Sequence, residues 1–372
     1  MIPLRVLHVT SPEAIDASLA MAQLVRWQTA EGHACAVAAP EHLLDSLPVS
    51  GCDVLPYRTG LMAWWRGARL DFAQRLARWT PDLIHVHDPL QVEAVLDVAR
   101  RLGLMMVAAV QGAEDPWRCR ALRDTRVAWV LAQTESQRVH CLSRLRLPRD
   151  RVTVLPPGLR LPSEQLPVAA DESLDVGFAG PYGRDDGLDD LLVALAQLHQ
   201  DTGAVRGHAL VRSPAERQRV TQAIERHGVG AWVKLVDELA VFLATIEVFA
   251  CPSRGDRAAW TMIAAMAIGR PVVATAVGPR PELVREGSTA LLCPPRRPAA
   301  LAAALGALRS SSERRRLGDA GRAWAQERFD IDLVGQATVE LYRAAIGGEA
   351  SPSAAGEVSS IFRRVSQTRT RL

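Results

Sequence analysis

Short apolar runs alternate along the chain with longer stretches of helical spacing. In the first part of the sequence, residues 4–9, 34–39, 83–86, 105–110 and 128–131 are such runs, and each borders an amphipathic stretch. That alternation predicts a parallel α/β sheet, because a strand buried on both faces reads as a continuous apolar run and its crossover as a helix. A second series follows at residues 175–179, 208–211, 233–236, 248–251, 271–275 and 290–292. The repetition predicts two doubly wound domains, residues 1–160 and 172–330. The stretch between, 160–173, is rich in Pro, Ser, Glu and Ala without apolar periodicity, as an interdomain linker is. Helical spacing resumes at Phe329, Leu333, Ala337, Leu341 and Tyr342. The tail, 347–372, is Gly/Ser/Ala-rich and then basic, and is expected to be disordered.

Composition narrows the function classes. The 372 residues are 48% hydrophobic, enough for more than one core. Their 44 basic and 41 acidic residues leave a net charge of +3, too balanced for the cationic face that nucleic acid would require. The six cysteines, Cys35, Cys52, Cys119, Cys141, Cys251 and Cys293, are scattered without a C-x-x-C pair, so neither a zinc site nor a disulfide framework is indicated. The N-terminus lacks the charged, apolar and small-residue order of a signal peptide, and no apolar run approaches the ~20 residues that span a bilayer. A cytoplasmic protein is expected.

The run Cys251-Pro-Ser-Arg-Gly-Asp256, followed by Met262-Ile-Ala-Ala-Met-Ala-Ile-Gly-Arg-Pro-Val-Val-Ala-Thr275, Gly278 and Pro281-Glu-Leu-Val284, carries the most specific signal. It resembles the donor-site segment of glycosyltransferase family 4. Other segments agree in order, among them Asp82-Leu-Ile-His-Val-His87, Val154-Leu-Pro-Pro-Gly158, Gly177-Phe-Ala-Gly180 and Glu327-Arg-Phe329, so that the resemblance covers about residues 4–346. It implies a GT-B fold of two Rossmann-like domains facing a cleft, an acceptor-side domain first and a donor-side domain second. It also implies a final helix, 331–346, crossing back to the first domain. Retaining sugar transfer from a nucleotide-sugar donor follows from the same resemblance, with no cofactor and no metal, in polysaccharide or glycolipid assembly.

Against that pattern the chemistry-bearing positions are substituted. The family's arginine and lysine near the first strand of the second domain fall in Gly180-Pro-Tyr-Gly-Arg-Asp-Asp-Gly187, where Pro181 takes the arginine position and Asp186 the lysine position. Hydrogen bonds to charged groups contribute about 1.5–3 kcal/mol each, so loss of two weakens donor binding by about 3–6 kcal/mol. Asp256 takes the place of the first family glutamate and Ala264 that of the second, while Gln111-Gly112 stands where the family has histidine and glycine. By position, Gly180, Arg184, Asp256 and Glu282 remain as donor-binding candidates, and Asp256 and Gln111 as catalytic ones. The expectation is a weakly active or non-catalytic relative; the alternative is an active retaining transferase that works through Arg184 and Asp256.

Two further features stand outside the motif. His85, His87 and Asp88 form a dense polar group, read as satisfied strand-end histidines in preference to metal ligands. The segment from Leu61 to Trp79 carries Trp64, Trp65, Leu70, Phe72, Leu76 and Trp79 among Arg66, Arg69, Arg75 and Arg78. That pattern fits a helix lying on the inner membrane face, though a helix packed on its own domain is the preferred reading. The partners expected are a nucleotide-sugar donor and a glycan or lipid-linked acceptor, with no nucleic acid.

Overall fold

The structure is a computed structural model, and it describes residues 2–10, 15–40, 49, 51–57, 66–110, 112, 116–161, 174–180, 182–183, 185–255 and 260–348. The chain divides into two compact units. One is built from Met1–Arg160 and Arg328–Leu372, the other from Leu161–Glu327.

The first unit runs β1 (Arg5–Val9), α1 (Ile15–Ala30), β2 (Ala34–Pro40), β3 (Asp53–Tyr57), α2 (Arg66–Trp79), β4 (Leu83–Val86), α3 (Val92–Leu102), β5 (Met105–Ala109), β6 (Val127–Ala132), α4 (Glu135–Ser143) and β7 (Val152–Val154). Among the described residues its strands form a parallel seven-stranded sheet in the order β3-β2-β1-β4-β5-β6-β7. The chain reverses its lateral direction beside β1, so the carboxyl ends of β1 and β4 flank the point where ligands collect in such sheets. Two strands escape the apolar-run signal. β3 contains Pro56 and lies at the sheet edge, where a missing N–H is tolerated, and β7 is only three residues long.

The second unit runs β8 (Leu174–Ala179), α5 (Leu188–Thr202), β9 (Val205–Leu210), α6 (Pro214–His227), β10 (Val233–Val236), α7 (Leu239–Thr245), β11 (Val248–Cys251), α8 (Trp260–Ala267), β12 (Val272–Thr275), α9 (Arg280–Leu283), β13 (Ala290–Cys293), α10 (Pro298–Ala307) and α11 (Ser311–Arg328). Its parallel six-stranded sheet has the order β10-β9-β8-β11-β12-β13. Both units are therefore doubly wound α/β domains, as the alternation of runs predicts.

Helix α12 (Ile331–Gly347) completes the first unit. Alternate residues of β1 face opposite sides, as strand geometry requires. Leu7 and Val9 join Phe72, Leu76, Ile84 and Val86 on one side, while Leu4 and Val6 join Trp27, Leu83, Trp129, Val334 and Tyr342 on the other. Chain return is fixed by Leu159 N donating to Phe329 O at 2.7 Å and Ile331 N donating to Leu159 O at 3.0 Å. Gly335 lets α12 lie on α1, since a Cβ there would stand 2.4 Å from the Trp27 ring. Trp27 Nε1 donates to Asp332 Oδ1 at 2.9 Å along the same contact.

In α2, Phe72 and Leu76 are buried in the core of the first unit. Burial of such side chains contributes about 1.5–3 kcal/mol each, which supports the reading of a helix packed on its own domain. Trp79 is half-buried, its Nε1 donating to Asp53 Oδ2 at 2.7 Å with the Arg5 guanidinium 4.6 Å from its ring. Trp64 and Trp65 lie outside the described residues. No helix among the described residues is long and apolar enough to cross a membrane. The six cysteines are free thiols.

Candidate functional site

Each unit gathers polar groups near the carboxyl ends of its central strands. In the second unit the loop after β8 leads into α5. Gly187, at φ +74°, begins that helix, and a Cβ on it would meet Pro252 O at 2.1 Å, so only glycine allows this loop to touch the one after β11. Asp186 Oδ1 accepts from Leu188 N at 2.7 Å, closing the turn that leads into the helix. Burial pushes its carboxyl up to about 6, against the pull of that hydrogen bond. The sequence-predicted Gly180 ends the strand, its carbonyl accepting from Arg212 Nη2 at 3.2 Å, and Arg219 Nη1 donates to Tyr182 O at 2.6 Å.

The loop after β11 is tied down in the same way. Arg254 N and Gly255 N donate to Asp185 O at 2.6 and 3.1 Å, and the Arg254 guanidinium grips Asp190 through two bonds of 2.7 and 2.9 Å. Arg280, fully buried at the start of α9, donates to Thr275 O at 3.0 Å, Ser253 O at 2.8 Å and Gly255 O at 2.7 Å. It thus joins the loops after β11 and β12. Ala264 is buried on α8 and offers no polar atom, while three residues earlier Thr261 Oγ1 is buried without a hydrogen-bond partner among the described residues. Glu282 is half-exposed on α9. The predicted residues Pro181, Arg184, Asp256 and Gln111 lie outside the described residues.

Sequence reasoning gave Arg280 no role, and nothing in its local pattern marks it. Arg254 likewise went unremarked beside the Pro-Ser pair.

The first unit holds a different arrangement. β1 and β4 pair in parallel with His8 opposite His85, and His87 follows two residues later. All three side chains are buried. His8 Nε2 donates to Gln28 Oε1 at 2.8 Å, and His8 Nδ1 lies 2.9 Å from His87 Nε2. His85 Nδ1 is 2.6 Å from the Tyr342 hydroxyl, which also accepts from Gln28 Nε2 at 3.4 Å. His85 Nε2 is buried with no hydrogen-bond partner among the described residues. Desolvation lowers His8 to about 4 and holds His85 and His87 well below the usual histidine range, so all three rings are neutral near pH 7. A cavity of about 60 Å³ adjoins them, lined by His85, His87, Gln133, Gly158, Val334 and Thr338 among others.

This corrects the reading of satisfied strand-end histidines. One ring nitrogen is unsatisfied, and His8 belongs to the group. Asp88 accepts from Leu90 N at 3.0 Å in the turn before α3. The H-x-H spacing marked two members. His8, Gln28 and Tyr342 come from β1, α1 and α12 and have no linear signal.

Comparison with known proteins accounts for both units. The model of "Glycosyltransferase Family 4" matches residues 18–161, and that of "Glycosyl transferases group 1" matches residues 173–311. The MMP α-(1→4)-mannosyltransferase of Mycolicibacterium hassiacum is 42% identical over 112 residues, 30% of this chain and 27% of the mannosyltransferase. Glycogen synthase of Mycobacterium tuberculosis is 26% identical over 305 residues, 74% of this chain and 71% of the synthase. Among solved structures, Anabaena HepE in complex with UDP-glucose superposes with a TM-score of 0.77 at 16% identity, covering 92% of this chain and 100% of HepE. With two all-parallel α/β units of the GT-B kind and a family model over each, the chain belongs to glycosyltransferase family 4.

Proposed function

We propose that the chain is a family 4-like protein of polysaccharide or glycolipid assembly that holds a nucleotide-sugar donor weakly and transfers sugar slowly or not at all. The observation that carries this reading is Asp186. At the position where the family resemblance implies a phosphate-binding lysine stands an acid that accepts from Leu188 N in the turn before α5 and is raised to about 6 by burial. A leaving nucleoside diphosphate gains negative charge in the transition state, so a carboxylate there opposes the step that a cation would assist. Ala264 supports the same conclusion, since a buried methyl group accepts no hydrogen bond from a ribose hydroxyl. That HepE is solved with UDP-glucose supports a nucleotide sugar as the ligand class.

A second reading has its own observation. The loops that would surround a donor keep their close approach at Gly187, and Arg212, Arg219 and Arg254 reach the loop after β8 or the helix that follows it from other elements. Under that reading the chain is an active retaining transferase with a divergent site, Arg184 and Asp256 forming the working pair. In both readings the acceptor is a glycan or a lipid-linked sugar, and Trp64 and Trp65 are the residues proposed for peripheral contact with a membrane face.

Calorimetry of the full chain against uridine, guanosine and adenosine diphosphate sugars separates the two. Weak or absent binding, improved by at least about tenfold in Pro181→Arg/Asp186→Lys/Ala264→Glu, is the expected result. Micromolar binding by the native chain, with turnover once a lipid-linked acceptor is added, decides for the active enzyme.

A further inference from the structure

The histidine group of the first unit has features that sugar transfer does not explain. Three buried imidazoles from β1, β4 and the turn after β4 place ligand-capable nitrogens within 4.8 Å of one another. Imidazole nitrogen is the commonest side-chain ligand of divalent transition metals. We infer that His8, His85 and His87 form a binding site for a single zinc-like divalent ion, with the adjoining cavity supplying the place of a fourth ligand.

On this inference the ligand atoms are His8 Nδ1, His87 Nε2 and His85 Nε2. The first two already lie 2.9 Å apart. Two ligands on one tetrahedral ion at ~2.1 Å stand ~3.4 Å apart, so this pair parts by about half an ångström while the His85 ring closes on them from within 4.8 Å. The third is the buried nitrogen that has no hydrogen-bond partner among the described residues.

The surroundings resemble the outer shell that fixes imidazole ligands. In such shells the nitrogen remote from the ion gives its proton to an oxygen, and this sets the tautomer and the ring plane. His8 does so now, Nε2 donating to Gln28 Oε1. For His85 the Tyr342 oxygen lies 2.6 Å from Nδ1, ready to accept the proton that coordination displaces from Nε2. His87 answers by carrying its proton on Nδ1. Three neutral ligands leave the ion's charge uncompensated, so the fourth position suits a water or an anionic oxygen, and a cavity of about 60 Å³ beside His85 and His87 holds either.

The test uses the tag-free full chain, stripped with a chelator and titrated with Co²⁺. One ion per chain, with the visible absorption of four-coordinate cobalt and displacement by Zn²⁺, is expected. His85→Asn removes the signal. Gln28→Leu keeps all three ligands and weakens binding about 10- to 100-fold. Because substitutions at buried rings can unfold the chain, imidazole nitrogen resonances of the native protein provide a second reading, and Zn²⁺ should shift those of His8, His85 and His87 together. The inference is overturned if no stoichiometric ion binds, if His85→Asn binds as the native chain does, or if zinc shifts other histidines and leaves these three unmoved.

Discussion

His8 and His208 occupy comparable places, each buried on a strand of a parallel sheet, yet their surroundings differ in kind. His8 faces an amide and another imidazole, and desolvation drives it neutral. His208 Nε2 lies 2.6 Å from Asp175 Oδ1, and the same carboxylate receives the Arg206 fork at 2.9 and 2.6 Å. Burial pushes Asp175 up, but the hydrogen bonds from His208 and Arg206 prevail and hold it below the usual carboxylate range. The first unit thus buries polarity as neutral groups and the second buries it as paired charge. The former costs less desolvation and leaves lone pairs available; the latter keeps charge at the expense of needing every partner.

The largest expected effect concerns acid. The unfolded histidines titrate near 6.5 and the folded ones lower, so below about pH 6.5 the unfolded first unit binds more protons and its stability falls. His8 alone, lowered to about 4, accounts for about 3 kcal/mol once pH has fallen through that lower value. Asp175 behaves otherwise: its contribution is present above the unfolded value of ~3.9 and disappears only as pH falls through its still lower folded value. Hydrogen exchange near neutrality and at about pH 5 should therefore show β1 and β4 losing protection while β8 and β9 keep theirs. Simultaneous loss in both units breaks the contrast.

Asp175→Asn should cost the second unit about 2–3 kcal/mol, read as a fall in its calorimetric midpoint, because it removes the carboxylate charge that His208 and Arg206 share and turns one of its two acceptor oxygens into a donor; the half-exposed Arg206 moderates the loss. Tyr342→Phe removes only a neutral partner of His85 and should cost about 1 kcal/mol by denaturant midpoint. Equal costs for the two substitutions would mean that charge makes no difference here.

Smallest is Asp186→Asn. The folded pKa of Asp186 is raised, so the stability tied to its protonated form is present at low pH and lost as pH rises through about 6. Asparagine keeps an acceptor for Leu188 N without the charge, so the variant should be more stable than the native chain by about 1 kcal/mol at pH ~8 and equal to it only below pH ~4.

Much of the fold could be read from apolar runs because parallel strands are buried on both faces. β3 was hidden by Pro56 at an edge, and β9 begins at Val205, ahead of the run at 208–211, because Arg206 and Gly207 interrupt the apolar signal. Arg206 is polar there because its guanidinium reaches Asp175 on the neighbouring strand. The loops after β8 and β11 and the helix α8 were legible as linear motifs, so Gly180, Asp186 and Ala264 could be matched to family positions. What linear reading misses is convergence: Arg280 satisfies three carbonyls from two loops, and His8 meets His85 only through the register of β1 with β4.

The bridge between Leu159 and Asp330 makes the first unit discontinuous in sequence. Tyr342, Val334 and Leu341, which cover Trp129 and Leu83, are synthesised only after all of Leu161–Glu327. At ~5–20 residues per second, that interval is on the order of ten seconds or more. Throughout it the nascent sheet carries an uncovered apolar face, and His85 lacks the hydroxyl that orients it. Emergence of α12 from the ribosome therefore completes the core of the first unit and its histidine group in one event, and a chain terminated before residue 331 would expose Trp27 and Trp129 permanently to chaperones and proteases.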